Sequence, residues 1–389
     1  MLFACLWASA ATPLDPDQLV RAVLSAHPEV VAADAETIAA ERREHAVSGW
    51  MPLKAQLMVA PMSGMPAAEV SQMTMPLGEA GAERRMRAAD TRMAQADGRM
   101  TRLGLAVRAA TLWADWYDQH AQADLIDAGI ATLGQLESSA RERYARGLGS
   151  LSDARMAAEE LAMLKVDRAM LQGDLDETRI GINSLLGQPL EAAVDRPAEP
   201  PTGTLPATLD APEIAEAQAG VAEAEAGVAM ARKQRLPAVG WMLSWEASDM
   251  GPADGLMVGG MVEVPLDQGV KAAAVSAAEA DRQRAEARVD ATTREAARAF
   301  AQARAMVAAQ RTVLDTLERE VLPASVASVS AARTAYEAGH DNAQMLLMAL
   351  HREHDVHIEI ARARAELYKR QAMAWMAAGT LPPAWEGAP

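Results

Sequence analysis

The chain has 389 residues and a formal charge of −16; half of its residues are apolar but only 4% are aromatic. Alanine, with Glu, Arg, Leu and Met, makes up much of the sequence, and this composition favours long or coiled helices over a β-sandwich or an α/β sheet. The negative charge argues against a nucleic-acid partner and suits a surface or channel that tolerates cations.

The chain opens on "MLFACLWASAA", which is short, apolar and uncharged. Ala8-Ser9-Ala10 has the shape of a signal-peptidase site, so residues 1–11 are expected to be a signal peptide, although the usual basic start is missing. "LFAC" also loosely fits a lipoprotein box, an alternative in which Cys5 is acylated. Cys5 is the single cysteine, so the mature chain is expected to have no disulfide. No other segment reaches the ~20 apolar residues of a transmembrane helix.

Proline placement then divides the chain. Pro76 is followed next by Pro189, and Pro265 by Pro323. Those gaps exceed an ordinary helix, and their apolar spacing suits coiled coils. Prolines cluster between 190 and 211, which reads as a linker. The two flanking stretches, 12–189 and 212–380, carry matching landmarks in order, ahead of a tail at 381–389. Pro28-Glu29 pairs with Pro212-Glu213, Pro52 with Pro237, Met75-Pro76-Leu77 with Val264-Pro265-Leu266, Tyr144/Gly147 with Tyr336/Gly339, and Leu186-Gly187 with Ala378-Gly379. An internal duplication is expected. Each copy reads as a first helix (27–49; 212–235), two strands, a long helix (78–145; 267–338), a turn and a returning helix (151–186; 343–378).

The strands alternate. Leu53, Ala55, Leu57 and Val59 oppose Lys54, Gln56 and Met58. Val239, Trp241, Leu243 and Trp245 oppose Gly240, Met242, Ser244 and Glu246, while Leu256, Val258, Val262 and Val264 oppose Met257, Met261 and Glu263. Residues 68–76 alternate less cleanly. Strands of about nine residues suffice to cross a bilayer at a tilt, with an apolar outside and a partly polar inside. Four strands cannot close around a lumen, but three chains could supply twelve. The competing reading is a pair of soluble hairpins packed on helices.

At the turns, Gly147 and Gly339 suit the positive φ that ends a helix. Ser150 and Asn342 stand where an N-cap would start the next one. Two groups of residues have metal-binding character. His351, His354 and His357 lie three apart on the returning helix, and imidazole is a common transition-metal ligand; the alternative is a polar helix stripe. Met51, Met58, Met62, Met65, Met73 and Met75 crowd the first hairpin, and Met242, Met257 and Met261 could face a lumen; thioethers favour soft cations, and the alternative is flexible apolar filler. Carboxylates are strewn along helices at spacings that pair with Arg, and no P-loop, HExxH or GxSxG motif occurs. No catalytic site and no cofactor are expected.

Several stretches together resemble the TolC family of outer-membrane efflux proteins. They are "AHPEVVAADAETIAAERREHA" (26–46), "MTMPLGEAG" (73–81), "RYARGLGSLSDARMAAEELA" (143–162), "GINSLLGQP" (181–189) and "AYEAGHDNAQMLLMALHREHD" (335–355). The resemblance covers about residues 17–380. It implies a mostly α protein with short β segments, a homotrimer whose twelve-stranded outer-membrane β-barrel continues into a long periplasmic α-barrel. It implies that Arg146, Gly147 and Leu148, with Ala338, Gly339 and His340, form turns that dock a periplasmic adaptor protein linked to an inner-membrane pump. Asp153 and Asp341 become candidates for the tip gate; Met345 stands in the second turn where the first has Asp153. "QMTMPLGEAGAERR" (72–85) looks most like the heavy-metal branch. The implied function is a passive outer-membrane exit duct for metal cations or small toxic compounds. The alternatives are a duct for protein secretion and a periplasmic coiled-coil scaffold without a pore.

Overall fold

The computed structural model describes residues 13–59, 66–201, 203–247, 255–340 and 343–385. The signal-peptide segment with Cys5, both hairpin tips with Met62 and Met65, and the turn residues Asp341 and Asn342 lie outside the described residues. The elements run α1 (Pro16–Ala26), α2 (Pro28–His45), β1 (Lys54–Val59), β2 (Pro66–Met73), α3 (Glu79–Ala145), α4 (Leu151–Leu186), α5 (Pro212–Lys233), β3 (Ala238–Glu246), β4 (Leu256–Glu263), α6 (Gln268–Thr316), α7 (Leu322–Glu337) and α8 (Ala343–Ala378).

By its contacts the chain forms two compact units. One comprises Val31–Met100 and Ala211–Ala296. It holds a single antiparallel sheet of order β1-β2-β3-β4, so the two hairpins are joined by pairing of β2 with β3. Thr74 seals that junction: its hydroxyl donates to the Val239 carbonyl at 2.9 Å and its N–H donates to the same oxygen at 2.7 Å. Below the sheet, Thr91 on α3 donates to Glu44 on α2 at 3.1 Å, and Arg232 on α5 pairs with Glu279 on α6 at 2.7 Å.

The other unit takes the residues up to Val30, Thr101–Asp210 and those from Ala297 onward. Its core gathers Leu19, Val20 and Val23 of α1, Ala106, Ala109 and Trp113 of α3, Ile182 of α4 and Tyr368 of α8. Trp113 stacks on Tyr117 with centroids 5.9 Å apart and meets Tyr368 edge-on at 5.1 Å. Each buried indole needs a partner for its N–H. Trp113 donates to the Leu14 carbonyl at 2.8 Å, Trp116 to the Asp195 carbonyl at 2.9 Å and Trp385 to Asp17 at 2.8 Å. Leu14 also forms a parallel bridge with Pro197. Leu14, the Asp195–Pro197 stretch and Trp385 are thus tied onto this core.

Local chemistry sets the helix ends. Gly147, Gly187, Gly339 and Gly379 all have φ between 65° and 78°. After each, an N–H reaches back five residues: Leu148 to Arg143, Gln188 to Asn183, His340 to Ala335 and Thr380 to Trp375, at 2.8–3.3 Å. These are glycine-terminated Schellman closures, which satisfy carbonyls left over at a helix end. Ser150 caps α4 by accepting the Asp153 N–H at 3.2 Å.

Two sequence expectations change. The helix expected over 27–49 is α2, Pro28–His45, but a further helix precedes it: α1 is started by the Asp15 cap and Pro16 and ends before Pro28, whose ring disfavours a helical residue in front of it. The expected single helix over 267–338 is interrupted by a π-turn at Leu317–Val321, closed by the Leu322 N–H on the Leu317 carbonyl. Pro323 has no N–H to give, and its ring would collide with the carbonyl four residues back; one extra residue in the turn relieves both problems. Arg364 of α8 pins the π-turn by donating twice to Glu318, at 3.0 and 2.8 Å.

Candidate functional site

The strand register sorts the sheet into two chemically distinct faces, because directly paired residues point the same way. Lys54, Ser71, Met242 and Gly259 form one cross-strand row, and Gln56, Glu69, Ser244 and Met257 the next. Met73, Gly240 and Met261 form a third row on the same face. The opposite face carries Leu57, Ala68, Trp245 and Leu256 in one row and Ala55, Val70, Leu243 and Val258 in another. On the aliphatic face Leu57 is 90% and Val258 79% exposed, with Ala68, Val70 and Trp245 half-buried; on the other face Met73, Met242 and Met261 are half-buried and Met257 is exposed. A water-soluble sheet buries the face that is apolar; this one leaves much of it exposed. β2, expected to alternate less cleanly, departs only by placing Gln72 on the aliphatic face, where its amide donates to the Met51 carbonyl at 3.2 Å.

The two turns are alike in backbone and unlike in surroundings. Arg146 pairs with Glu142 at 3.3 Å, Gly147 has φ +71°, and Leu148 is exposed. Ala338 donates its N–H to the Thr334 carbonyl at 3.0 Å, Gly339 has φ +73°, and His340 is exposed. A Cβ on either Gly147 or Gly339 would meet nothing within 4 Å, so the conformation rather than space demands glycine there. Tyr144 is exposed, but its counterpart Tyr336 is buried with Ala343 and Leu346. The Arg143 guanidinium lies 4.8 Å from the centre of the Tyr336 ring, a cation–π contact that ties the first turn to the second. Sequence reading passed over Arg143; its place beside the repeated tyrosine was the available signal. Asp153 sits in the first turn of α4, where the helix dipole favours a carboxylate.

The three histidines line a cavity of about 270 Å³ among α3, α4 and α8, with Leu133, Leu164 and Leu350. His351 contacts Glu160 at 3.0 Å. The His354 ring lies against Gly129, and burial pushes its pKa below the usual imidazole value; His351 and His357 add to that, while Asp355 and Asp167 oppose it. Among the described residues no group of three or more His, Cys, Asp or Glu is placed to hold a metal ion. The expected imidazole set therefore does not form one: at three-residue spacing the rings drift around the helix. Among the described residues, too, no helix is long and apolar enough to cross a membrane.

A sheet with exposed aliphatic side chains, and long helices that end in a pair of like turns, are the features shared with known proteins. Residues 207–373 match the family model described as outer membrane efflux protein. No curated protein sequence matches. Among solved structures, the outer-membrane channel OprN superposes with a TM-score of 0.79 at 20% identity, covering 94% of this chain and 89% of its own. CusC gives 0.81 at 15%, covering 97% and 95%, and VceC of Vibrio cholerae 0.79 at 16%, covering 94% and 96%. The chain as a whole thus shares the fold of these outer-membrane channels, and its second half matches the outer membrane efflux protein model.

Proposed function

We propose that this protein is the outer-membrane exit duct of a tripartite efflux system, a passive conduit for metal cations or small toxic compounds. The observation that carries the reading is the inverted sheet. Its aliphatic face suits lipid, and its face of Lys, Gln, Glu, Ser and Met suits a lumen. Both outer edges, β1 and β4, lack a partner strand within the described chain. Open edges at that depth are not tolerated by a bilayer, and joining β4 of one copy to β1 of the next removes them. Three copies of like-built halves then make a twelve-stranded wall, with the helices as its periplasmic continuation.

The energy for export comes from an inner-membrane pump, reached through a periplasmic adaptor. The docking surface assigned to that adaptor is the pair of turns, Arg146-Gly147-Leu148 and Ala338-Gly339-His340. Their exposure and their shared closure support the assignment. Asp153 and Asp341 are assigned to the gate at the same end. The charge of −16 raises the local cation concentration at the entrance.

A deletion strain grown against copper, silver, zinc, cobalt and common antibiotics tests the function: sensitivity to one class, restored by the intact gene, is expected. Purified protein in planar bilayers should conduct. A protein that stays monomeric without detergent and conducts nothing would overturn the duct in favour of a periplasmic scaffold.

A further inference from the structure

The duct reading leaves one feature of the sheet unexplained, namely where its methionines lie. Met73, Met242, Met257 and Met261 all fall on the polar face, and the register puts no methionine on the aliphatic one. If methionine were serving as apolar filler it would join Val, Leu and Trp on the face that meets lipid. Instead the polar face takes its large apolar side chains only as thioethers.

Two glycines steer those thioethers toward β4. Met73 on β2, Gly240 on β3 and Met261 on β4 stand in one row. A Cβ on Gly240 would lie 2.4 Å from the Met73 sulfur. The side chain of Met73 has therefore crossed onto the neighbouring strand, toward Met261. Met242 repeats the move one strand over. Its Cγ and sulfur lie 3.2 and 3.5 Å from a Cβ built on its partner Gly259. Gly259 has Met257 and Met261 two residues away on either side along the same face of β4. Strands are about 4.8 Å apart and diagonal neighbours about 7–8 Å, within reach of four flexible side chains. Glu69, Glu246 and Glu263 share the face and supply negative charge without thiolates or imidazoles.

We infer that this thioether patch is a binding site for a soft monovalent cation, built from Met73, Met242, Met257 and Met261. Thioethers are neutral, polarisable ligands that select soft ions over zinc, calcium or magnesium. They bind without releasing a proton, and neutral ligands of this kind hold a passing ion loosely enough to let it go. The inference rests on the duct reading in one respect only, that this face lines the lumen.

Silver(I) in chloride-free buffer is the probe, applied to the full-length protein in detergent. Wild-type protein should bind it saturably, with zinc(II) at equal concentration failing to compete. Changing all four methionines to leucine should weaken binding at least tenfold. Gly259→Val keeps every sulfur but displaces Met242, and should weaken binding as well. Equal affinity in the four-leucine variant, or full competition by zinc, overturns the site. Trimer formation by size exclusion checks each variant; if the four-leucine protein does not assemble, Met73→Leu and Met242→Leu singly read the same quantity. Conductance in a planar bilayer separates the two claims. A conducting wild-type protein that does not bind silver refutes the thioether site and leaves the duct, whereas absent conductance refutes the duct whatever the silver result.

Discussion

Helices α3 and α6 are built from the same alanine, arginine and glutamate, yet they find their burial in different places. α3 buries Ala82, Ala89, Ala96, Leu103, Trp113 and Ala140, spread along its whole length. α6 fully buries only Val307 and Gln310. Val275, Ala278, Arg282, Ala285 and Val289 are half-buried, recurring at three- and four-residue intervals as a coiled-coil seam does. On the opposite side Ala273, Ala277, Ala280, Ala287 and Ala291 are exposed. One helix is satisfied by its own chain. The other presents a second small-residue seam that the proposed trimer would cover with another copy. The lesson is that a heptad pattern specifies a contact face without specifying whose helix fills it.

Substitutions in the two helices should therefore fail differently. Trp113→Ala removes a fully buried ring and its hydrogen bond to the Leu14 carbonyl, and should cost about 3–5 kcal/mol of chain stability, read by denaturant unfolding. Ala277→Arg with Ala287→Arg on α6 should leave the helix content intact and abolish the trimer, read by light scattering behind a sizing column. A trimer that persists would move the seam elsewhere. Next come the turns. Gly147→Val or Gly339→Val forces a branched side chain into positive φ, a strain of about 1–2 kcal/mol. Adaptor binding and resistance should fall while the trimer survives; unchanged resistance in both variants would remove the docking assignment.

The smallest effect is the pH response of the α3–α4–α8 cavity. Burial holds the His354 pKa below its unfolded value near 6.5. The stability it contributes is therefore complete above that value and is lost as pH falls through the folded pKa. Asp118 works in the other sense: burial raises its carboxyl pKa above 3.8, so its contribution is full at low pH and lost as pH rises through the folded value. Comparing melting temperatures of wild type and His354→Leu between pH 8 and pH 5 isolates the first. The variant should show the shallower decline, and identical slopes would mean that His354 titrates as it does in the unfolded chain.

Parts of this structure were legible residue by residue. α4 and α8 end where Gly187 and Gly379 stand, and α4 starts after the Ser150 cap, because those residues act through their own backbone and immediate neighbours. The faces of β3 and β4 followed from a period of two. Less was legible where a distant partner decides. Pro323 was plain to see, but whether the helix breaks, kinks or takes up a π-turn depends on packing, including the clasp of Arg364 on Glu318. The three histidines kept helical spacing, yet spacing did not tell that they would line a cavity without forming a ligand set. A period of two already set Met242, Met257 and Met261 opposite the aliphatic residues, as soft-cation ligands or as filler, but only the register put Met73 on the same face.

The amino-acid sequence by itself determined the periods, the caps and the punctuation, since each depends on interactions within a few residues of backbone. Only the tertiary structure decided that β2 pairs with β3 across some 165 residues of chain, that α3 is covered and α6 is not, and that Leu57 and Val258 on the aliphatic face of the sheet stay exposed. Those outcomes rest on which distant surfaces exclude water from one another, and local periodicity leaves that choice open.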